Sequence, residues 1–286
     1  SSWNVAEPFF PKERLIILGG GHVALPVAEF GARVGFLVTV VDDRLSFANP
    51  GRFPMAEKVI CDDFGHAIEE LKIQESDYIC IVTRGHRHDA DCLRMIGKGK
   101  EPAYLGMIGS RRRVGIVKQE LLEEGYAPER MSRLKSPIGL KIGGVTPEEI
   151  AISILAEIIQ VKRMDREDKR VKNRSDLDFD VLKRLAEEPD EPKAVVTVIE
   201  SKGSSPRGAG AKMIVYRDGR ILGSIGGGCS EAAVLGEARS LIGSGRYKVV
   251  HVDLTGEAAE DEGMVCGGIM DVLVEDFAMD REPCDR

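Results

Sequence analysis

Two cysteines beside glycines are the residues of this sequence best suited to chemistry. Cys229 ends the run Gly226-Gly227-Gly228 and opens a helical pattern, and Cys266 stands in the string MVCGG. A thiol at a helix N-terminus should have a depressed pKa, because the helix dipole favours the thiolate. A thiolate is both a nucleophile and a soft metal ligand.

The surroundings of these cysteines leave two roles open. A free cysteine is usually a small buried residue. Glu231 could oppose a thiolate at Cys229 or serve as a first-turn acid of the helix. Neither thiol has a histidine at the spacing of a Cys–His nucleophile, and His251 lies in a predicted strand. We therefore predict a reactive or ligand-binding role for Cys229 and Cys266, with plain burial as the alternative.

A glycine-rich fingerprint follows the first apolar run of the chain. Gly19 and Gly21 follow a predicted strand and open a helix, and Asp42 ends the next strand about 20 residues on. Such glycines permit close approach of a pyrophosphate, and the acid can bond a ribose hydroxyl. The pattern predicts a nucleotide or NAD(P) site, or else a turn kept for packing. His22, inside the turn, is unusual for an NAD-dependent dehydrogenase.

Two further strand ends carry polar clusters. The string TRGHRHD at 83–89 includes His86 and could serve acid–base chemistry, a metal, a polar ligand or an ordinary surface turn. In the second cluster, Gly109 and Ser110 precede three arginines that begin at Arg111. Helix-end amides with guanidinium groups suit a phosphate, although some of these arginines should face solvent.

The second half of the chain has two glycine-rich loops of its own. One contains Ser204, Ser205 and Arg207, and the other is the GGGC turn. An arginine on one loop and a helix N-terminus on the other suit an anionic ligand.

The elements that must position these residues alternate in the first half of the chain. Apolar runs resembling buried parallel strands alternate with helical patterns, which predicts a Rossmann-like, doubly wound α/β domain over residues 1–165. The almost entirely charged segment 162–176 is either the solvated tail of the preceding helix or an interdomain linker, and we predict a linker at 166–176. Residues 177–286 contain hairpin signals and predict a smaller α/β or α+β domain.

Composition excludes several classes of protein. A net charge of −7 and a pI of about 5.5 argue against a nucleic-acid or anionic-membrane surface. No apolar run approaches the length that spans a bilayer, and the first residues do not resemble a signal peptide. Six cysteines without a zinc-like spacing or a dense framework predict a cytoplasmic protein with reduced thiols.

Longer strings resemble the XdhC/CoxI family, accessory proteins of molybdenum hydroxylases such as xanthine dehydrogenase. The strings GSSPRGAGAKM, GSIGGGCSEAAV and CGG followed by DVLVED resemble its CoxI-type domain. The strings GGGHVALPVAEFGARVGFLVTVVDDR, VTRGHRHDADCL, YLGMIGSRRR and SPIGLKIGGVTPEEIAISILAEI resemble its Rossmann-type domain. Together they cover most of the chain.

The resemblance implies a chaperone that binds the molybdenum cofactor (molybdopterin), protects it during sulfuration and delivers it to a molybdenum hydroxylase apo-enzyme. By this matching, Cys229 and Cys266 become candidate ligands of the metal, and the Gly-rich loops with Arg207 would hold the pterin phosphate. We also expect a cysteine desulfurase as a partner, a homodimer, and no binding of nucleic acid or membrane.

The domain order departs from the family, which more often places the CoxI-type domain first. We infer a rearranged variant, because VAEPFFPKERL at the start resembles the join that normally follows a CoxI-type domain. Two competing functions stay open: an NAD(P)-linked oxidoreductase with His86 as acid or base, and a thiol-based sensor with a vestigial Rossmann domain.

Overall fold

The structure is a computed structural model, and it describes residues 11–164, 176–203, 207–253 and 268–277. These residues form two compact units, of which the first contains 11–164 and the second contains the other three ranges. No described helix is both long and apolar enough to cross a bilayer.

The first unit is a parallel sheet covered by helices. Its elements in chain order are β1 (Arg14–Leu18), α1 (Ala24–Arg33), β2 (Leu37–Asp42), β3 (Lys58–Cys61), α2 (Phe64–Leu71), β4 (Tyr78–Ile81), α3 (His86–Lys98), β5 (Tyr104–Met107), α4 (Arg111–Glu123), α5 (Pro128–Arg133) and α6 (Pro147–Met164). Within residues 11–164 the five strands are parallel in the order β3-β2-β1-β4-β5. This is the order of a Rossmann-type sheet.

Both faces of this sheet are buried, which explains its continuous apolar strands. Leu15 and Ile17 of β1 pack into one core with helices α1 and α6. Ile16 and Leu18 point to the other face and pack into a second core with α2, α3, α4 and α5. All four of these side chains are fully buried.

The second unit is an antiparallel sheet with a helix on each face. Its elements are α7 (Phe179–Glu187), β6 (Lys193–Gly203), β7 (Lys212–Tyr216), β8 (Ile221–Gly223), α8 (Gly228–Leu241), β9 (Tyr247–Asp253) and β10 (Gly268–Phe277). The described strands lie in the order β8-β7-β6-β10-β9, each antiparallel to its neighbours. Helix α8 packs on one face through Val234 and Ala238, and Val181 of α7 packs on the other against Ile214 and Tyr216.

The predicted fold class is confirmed: a Rossmann-like parallel sheet domain is followed by a smaller α/β domain, whose described sheet is antiparallel throughout. Helix α5 was not predicted. The boundaries at 165 and 176 stay a prediction, because residues 165–175 lie outside the described residues. The inferred join at VAEPFFPKERL also falls mostly outside them.

Candidate functional site

The topology brings the predicted nucleotide-binding residues to one edge of the parallel sheet. Strands β1, β2, β4 and β5 all end at this edge, which we call the carboxyl edge. The order of the strands reverses between β1 and β4. From β1 the chain continues to β2 on one side, and it later returns to β4 on the other side. Ligands of open α/β sheets bind in the crevice at such a switch point.

The glycine turn after β1 is held tightly between its neighbouring strands. The backbone N–H of Gly19 donates to the carbonyl oxygen of Val41 at 2.7 Å. Gly19 has φ of +111°, and a β-carbon there would stand 2.5 Å from the carbonyl oxygen of Val82. By contrast, a β-carbon at Gly21 would meet nothing within 4 Å. The turn is therefore closely packed at its start and open where α1 begins.

The carboxylate of Asp42 forms hydrogen bonds within the protein. Its carboxylate is buried and accepts hydrogen bonds from the backbone N–H of Gly20 at 2.8 Å and from the backbone N–H of Arg44 at 3.1 Å. The Arg44 guanidinium adds two bonds, from Nε at 2.8 Å and from Nη2 at 3.0 Å. A carboxylate offers about four lone-pair sites, so these four bonds fill its capacity. Asp42 supports the glycine turn, and a ribose hydroxyl would have to displace one of these donors.

The loop after β2 folds back onto the glycine turn. Arg52 donates from Nε to the carbonyl oxygen of Gly20 at 3.2 Å and from Nη2 to that of Gly21 at 3.4 Å. The Arg44 guanidinium lies 3.7 Å from the centroid of the Phe47 ring, a cation–π contact. Two guanidinium groups thus flank the turn where a phosphate is predicted.

A buried carboxylate links the loop after β4 to helix α4. Asp89, in the first turn of α3, is fully buried and accepts a 2.5 Å hydrogen bond from the hydroxyl of Thr83. It also pairs with the guanidinium of Arg113, in the first turn of α4. Burial raises the pKa of Asp89, while the Thr83 hydrogen bond and the Arg113 charge oppose that rise.

The same loop reaches across the end of β1. Arg84 donates from both Nη atoms to the carboxylate of Asp43, at 2.5 and 2.9 Å. Asp43 follows β2 and Arg84 follows β4, so the ion pair joins loops on either side of the glycine turn. The Arg84 hydrogen bond is the main cause of a lowered pKa at Asp43.

Helices α3 and α4 begin at the carboxyl edge with the predicted residues. His86 and Arg111 are their first residues, and Ser110 caps α4 by accepting from the backbone N–H of Arg113 at 3.3 Å. His88 packs its ring against Phe64. No cluster of His, Cys, Asp or Glu suited to a metal ion occurs in the part of the chain that the structure describes.

In the second unit, three successive glycines form the turn between β8 and α8. The φ angles of Gly226, Gly227 and Gly228 are +140°, +78° and +37°, a region that side-chain-bearing residues rarely adopt. An added β-carbon at Gly227 would meet nothing within 4 Å, so the space beside the turn is open. Cys229 follows as the second residue of α8. The sequence needs glycine here for its backbone conformation.

Glu231 serves as the first-turn acid of α8. Its carboxylate accepts from the hydroxyl of Ser224 at 2.6 Å and from the backbone N–H of Gly227 at 3.1 Å. The hydroxyl of Ser224 in turn accepts from the backbone N–H of Gly226 at 3.1 Å. These bonds fix the glycine turn and use one of the N–H groups that an anion could otherwise meet.

Arg207 is anchored within its own unit. It donates from Nε to the carboxylate of Asp176 at 2.6 Å, and the backbone N–H of Gly208 donates to the same oxygen at 3.1 Å. Ser204, Ser205 and Cys266 lie outside the described residues.

The register of the second sheet brings the ends of several strands together. The pairs that define this end are Gly203 with Gly268, Met213 with Gly223, and Ile269 with Asp253. The end of β6 leads to the Arg207 loop, and the end of β8 leads to the GGGC turn. Gly268, two residues after Cys266, begins β10 at the same end. The chain order alone did not reveal this convergence.

Arg84, Asp89 and Arg113 lie in the polar clusters predicted at 83–89 and 111–113, but the contacts that these residues make, and the contact of Asp176, were not predicted. Asp43, Arg84, Asp89 and Arg113 hold the loops of the carboxyl edge, and Asp176 holds Arg207. Asp89 also carried a second signal, since it is an acid in the first turn of the helix that follows a strand end.

The first unit has the strand order and glycine turn of a Rossmann-type nucleotide-binding domain, and the second has a thiol-bearing glycine turn on an antiparallel sheet. Residues 15–158 match the model of the XdhC Rossmann domain, and residues 186–253 match that of the XdhC and CoxI family. The chain belongs to the XdhC/CoxI family, with the Rossmann domain first.

Three relatives show the extent of the similarity. The uncharacterized protein YqeB of Escherichia coli K12 is 38% identical over 53% of this chain and 28% of its own length. A probable xanthine dehydrogenase subunit of Bacillus subtilis 168 is 34% identical over 54% of this chain and 44% of its own length. The molybdenum cofactor insertion chaperone PaoD of E. coli K12 is 40% identical over 26% of this chain and 23% of its own length. The chain thus spans less than half of the length of these curated relatives.

Solved structures are also similar to part of the chain, and one of them has a named source. It is the crystal structure of a xanthine dehydrogenase from Bacillus halodurans, 35% identical, with a TM-score of 0.48, covering 57% of this chain and 46% of that chain.

Proposed function

We propose that this chain is a maturation factor for molybdenum hydroxylases of the xanthine dehydrogenase type. In this role it binds the molybdenum cofactor, protects it during sulfuration and passes it to the apo-enzyme. Family membership and the similarity to a molybdenum cofactor insertion chaperone support the proposal. The observation that carries it is the turn of three left-handed glycines that places Cys229 at the start of α8.

The glycine turn is suited to a bulky ligand with a soft metal. Its three positions without a β-carbon leave open space at Gly227, so the backbone itself can approach the ligand. Thiolates are soft ligands, and Cys229 with Cys266 would hold the metal end. The bound cofactor supplies the redox-active metal of the client enzyme.

The polar groups of the same unit would hold the other end of the cofactor. Arg207, with Ser204 and Ser205, is the candidate for the pterin phosphate, and its guanidinium is already oriented by Asp176. The carboxylate of Glu231 accepts the backbone N–H of Gly227, so this N–H is not available to a phosphate. The glycine turn therefore suits the metal end of the cofactor better than its phosphate.

The Rossmann-type unit would bind a nucleotide or phosphate group at its own carboxyl edge. The candidate residues are Gly19, Gly21, His22, Asp42, His86, Gly109, Ser110 and Arg111. Asp42 would act there by holding the glycine turn through Gly20. The expected partners are a molybdenum hydroxylase apo-enzyme and a cysteine desulfurase, and the expected assembly is a homodimer.

The geometry favours this function over an NAD(P)-linked oxidoreductase. Recognition of an NAD ribose at this position uses a free acid after the second strand. Asp42 instead accepts four hydrogen bonds from the protein. Binding of NAD(P) through that carboxylate would therefore cost contacts that support the glycine turn.

The test is anaerobic purification of the full chain from cells that make the cofactor, with molybdenum analysis and pterin fluorescence as readouts. We expect both signals with the wild-type chain and loss of most of the molybdenum with Cys229→Ala. Cys61→Ala is the matched control, because Cys61 is an exposed cysteine of the other unit and should leave binding unchanged.

Two results would overturn the proposal in part or in whole. The wild-type chain could be free of pterin and molybdenum when it is purified from cells whose molybdenum hydroxylases are active. That result would contradict the proposed chaperone role. Equal molybdenum contents of Cys229→Ala and wild type would contradict the role of Cys229 as a metal ligand. Binding of the cofactor by the chain would then still hold.

A further inference from the structure

The loops at the carboxyl edge, around the Rossmann glycine turn, hold a group of arginine side chains. Four arginines make described contacts there: Arg44, Arg52, Arg84 and Arg113. The acids that they meet are Asp42, Asp43 and Asp89. Arg52 donates to backbone carbonyls of the turn and has no carboxylate partner among the described residues. Among these contacts there are four guanidinium groups and three carboxylates, and the charge of Arg52 lies beside the turn without a carboxylate in contact with it among the described residues.

The three acid-paired arginines differ in how easily they could change partner. The carboxylates that hold Arg44 and Arg113 are buried, with 2% and 0% of their side chains exposed. Breaking such a pair would leave a buried charge uncompensated. The Arg84–Asp43 pair is open to solvent, with 42% and 28% of the two side chains exposed. Exposed ion pairs contribute little to stability, so Arg84 is the one of the three arginines that can most readily leave its carboxylate for another anion.

The position and geometry of Arg84 indicate what it would exchange Asp43 for. Its two Nη atoms donate to the two carboxylate oxygens of Asp43. A guanidinium group can donate to two oxygens of a phosphate with the same geometry. The pair joins loops on either side of the glycine turn, so a ligand seated on that turn comes within reach of this guanidinium. Asp42 is occupied, which leaves phosphate rather than ribose as the recognised group.

We propose that the Arg84–Asp43 pair is a latch across the Rossmann glycine turn, and that a phosphate-bearing ligand opens it by taking Arg84 from Asp43. Asp43 stands in for the anion while the site is empty, and Arg52 adds a second cation beside the turn. This inference deepens the proposed function, on which it rests for the view that this unit takes a phosphate-bearing ligand. The ligand class that we expect at this turn is a diphosphate.

The test measures binding of inorganic pyrophosphate and of ADP to the chain of residues 1–286 by titration calorimetry. Asp43→Asn removes the competing charge and keeps the shape of the side chain. We expect it to bind pyrophosphate about two- to fivefold more tightly than wild type. Arg84→Gln should weaken binding by about tenfold or more, because it removes a charge-assisted fork. The double variant should bind like Arg84→Gln.

The control separates the latch from a general change in charge. Glu101→Gln also neutralises a carboxylate paired with an arginine, Arg133, but Glu101 precedes β5 and lies at the opposite edge of the sheet. It should leave the affinity for pyrophosphate at the wild-type value. Circular dichroism of each variant checks that the fold is retained.

Each outcome decides the question. Tighter binding by Asp43→Asn that disappears in the double variant supports the latch, even if wild type binds too weakly to measure. Equal affinities in wild type, Asp43→Asn and Arg84→Gln, or no binding by any folded variant, would overturn it. Molybdenum uptake through Cys229 is read separately, so a failed latch and a failed chaperone role are distinguishable. Binding of ADP but not pyrophosphate would also overturn it, since the adenosine would then carry the recognition.

Discussion

At the scale of single residues, the carboxylates of the Rossmann-type unit have divided roles. Asp42 supports the glycine turn, Asp89 joins α3 to α4, and Asp43 is exposed enough to exchange its partner. Sequence spacing could place Asp42 after the second strand, but it could not show which donors fill its oxygens. Asp43 and Arg84 are 41 residues apart, and no local pattern links them.

Asp89 should give a pH-dependent contribution to stability. Its folded pKa is raised by burial above the unfolded value of about 3.9. Its contribution is therefore present below about pH 4 and is lost as the pH rises through the folded pKa. We expect the unfolding free energy of wild type, relative to Asp89→Asn, to fall as the pH rises from about 4 to 7.

Urea denaturation of both proteins at several pH values measures this difference. Asp91→Asn is the control, since Asp91 lies on the same helix, is exposed and pairs with Arg94. Its difference from wild type should change less with pH. A relative stability of wild type that rises with pH would show that Arg113 outweighs the burial of Asp89.

At the scale of elements, strands were predicted better than short helices. The apolar runs of the first unit predict strands at 14–18, 36–41, 58–60, 78–83 and 103–109. They match β1 to β5 within about two residues, because buried parallel strands have continuous apolar runs. Helix α5 was missed because its six residues, PERMSR, are too few to show helical periodicity. The convergence of the Arg207 loop with the GGGC turn depends on strand register, which a single sequence does not reveal.

The turn before α8 gives a prediction for the element that it starts. Gly227 has φ of +78° and ψ of +173°, a region that is essentially restricted to glycine. We expect Gly227→Ala to destabilise the protein by about 1–3 kcal/mol through its backbone alone, because the space for a methyl group is open. Thermal or urea unfolding measures the loss.

Gly236 provides a matched comparison on the same helix. It lies in the exposed interior of α8, where a β-carbon also meets nothing within 4 Å. Gly236→Ala should stabilise the protein by about 0.5–1 kcal/mol, since alanine is the better helix former. Similar effects of the two substitutions would show that the conformation of the turn is not required.

At the scale of the whole molecule, two units with separate cores carry the two predicted ligand sites. The fold class and the family followed from the sequence, because alternating strand and helix patterns and long matching strings are both visible in it. The charged stretch at 166–176 was predicted as a linker on composition, and this stays a prediction.

Limited proteolysis tests the predicted linker. We expect trypsin to cut first between 162 and 176, which is rich in Lys and Arg, and to leave two fragments that each contain the described residues of one unit. The arginines at 111–113 are an internal comparison, because they lie in α4 and should be cut later. Mass spectrometry of the first fragments identifies the sites, and an earlier cut at 111–113 would contradict the prediction.

The three left-handed glycines also have a consequence at the level of the gene. Every glycine codon begins with two guanines, so any missense change of one base adds a carbon side chain to a backbone conformation that side-chain-bearing residues rarely adopt. Three adjacent codons, 226–228, should therefore vary among natural alleles by synonymous changes, whereas codon 236 should accept alanine or serine. Allele sequencing can thus detect the constraint of this turn without a purified protein.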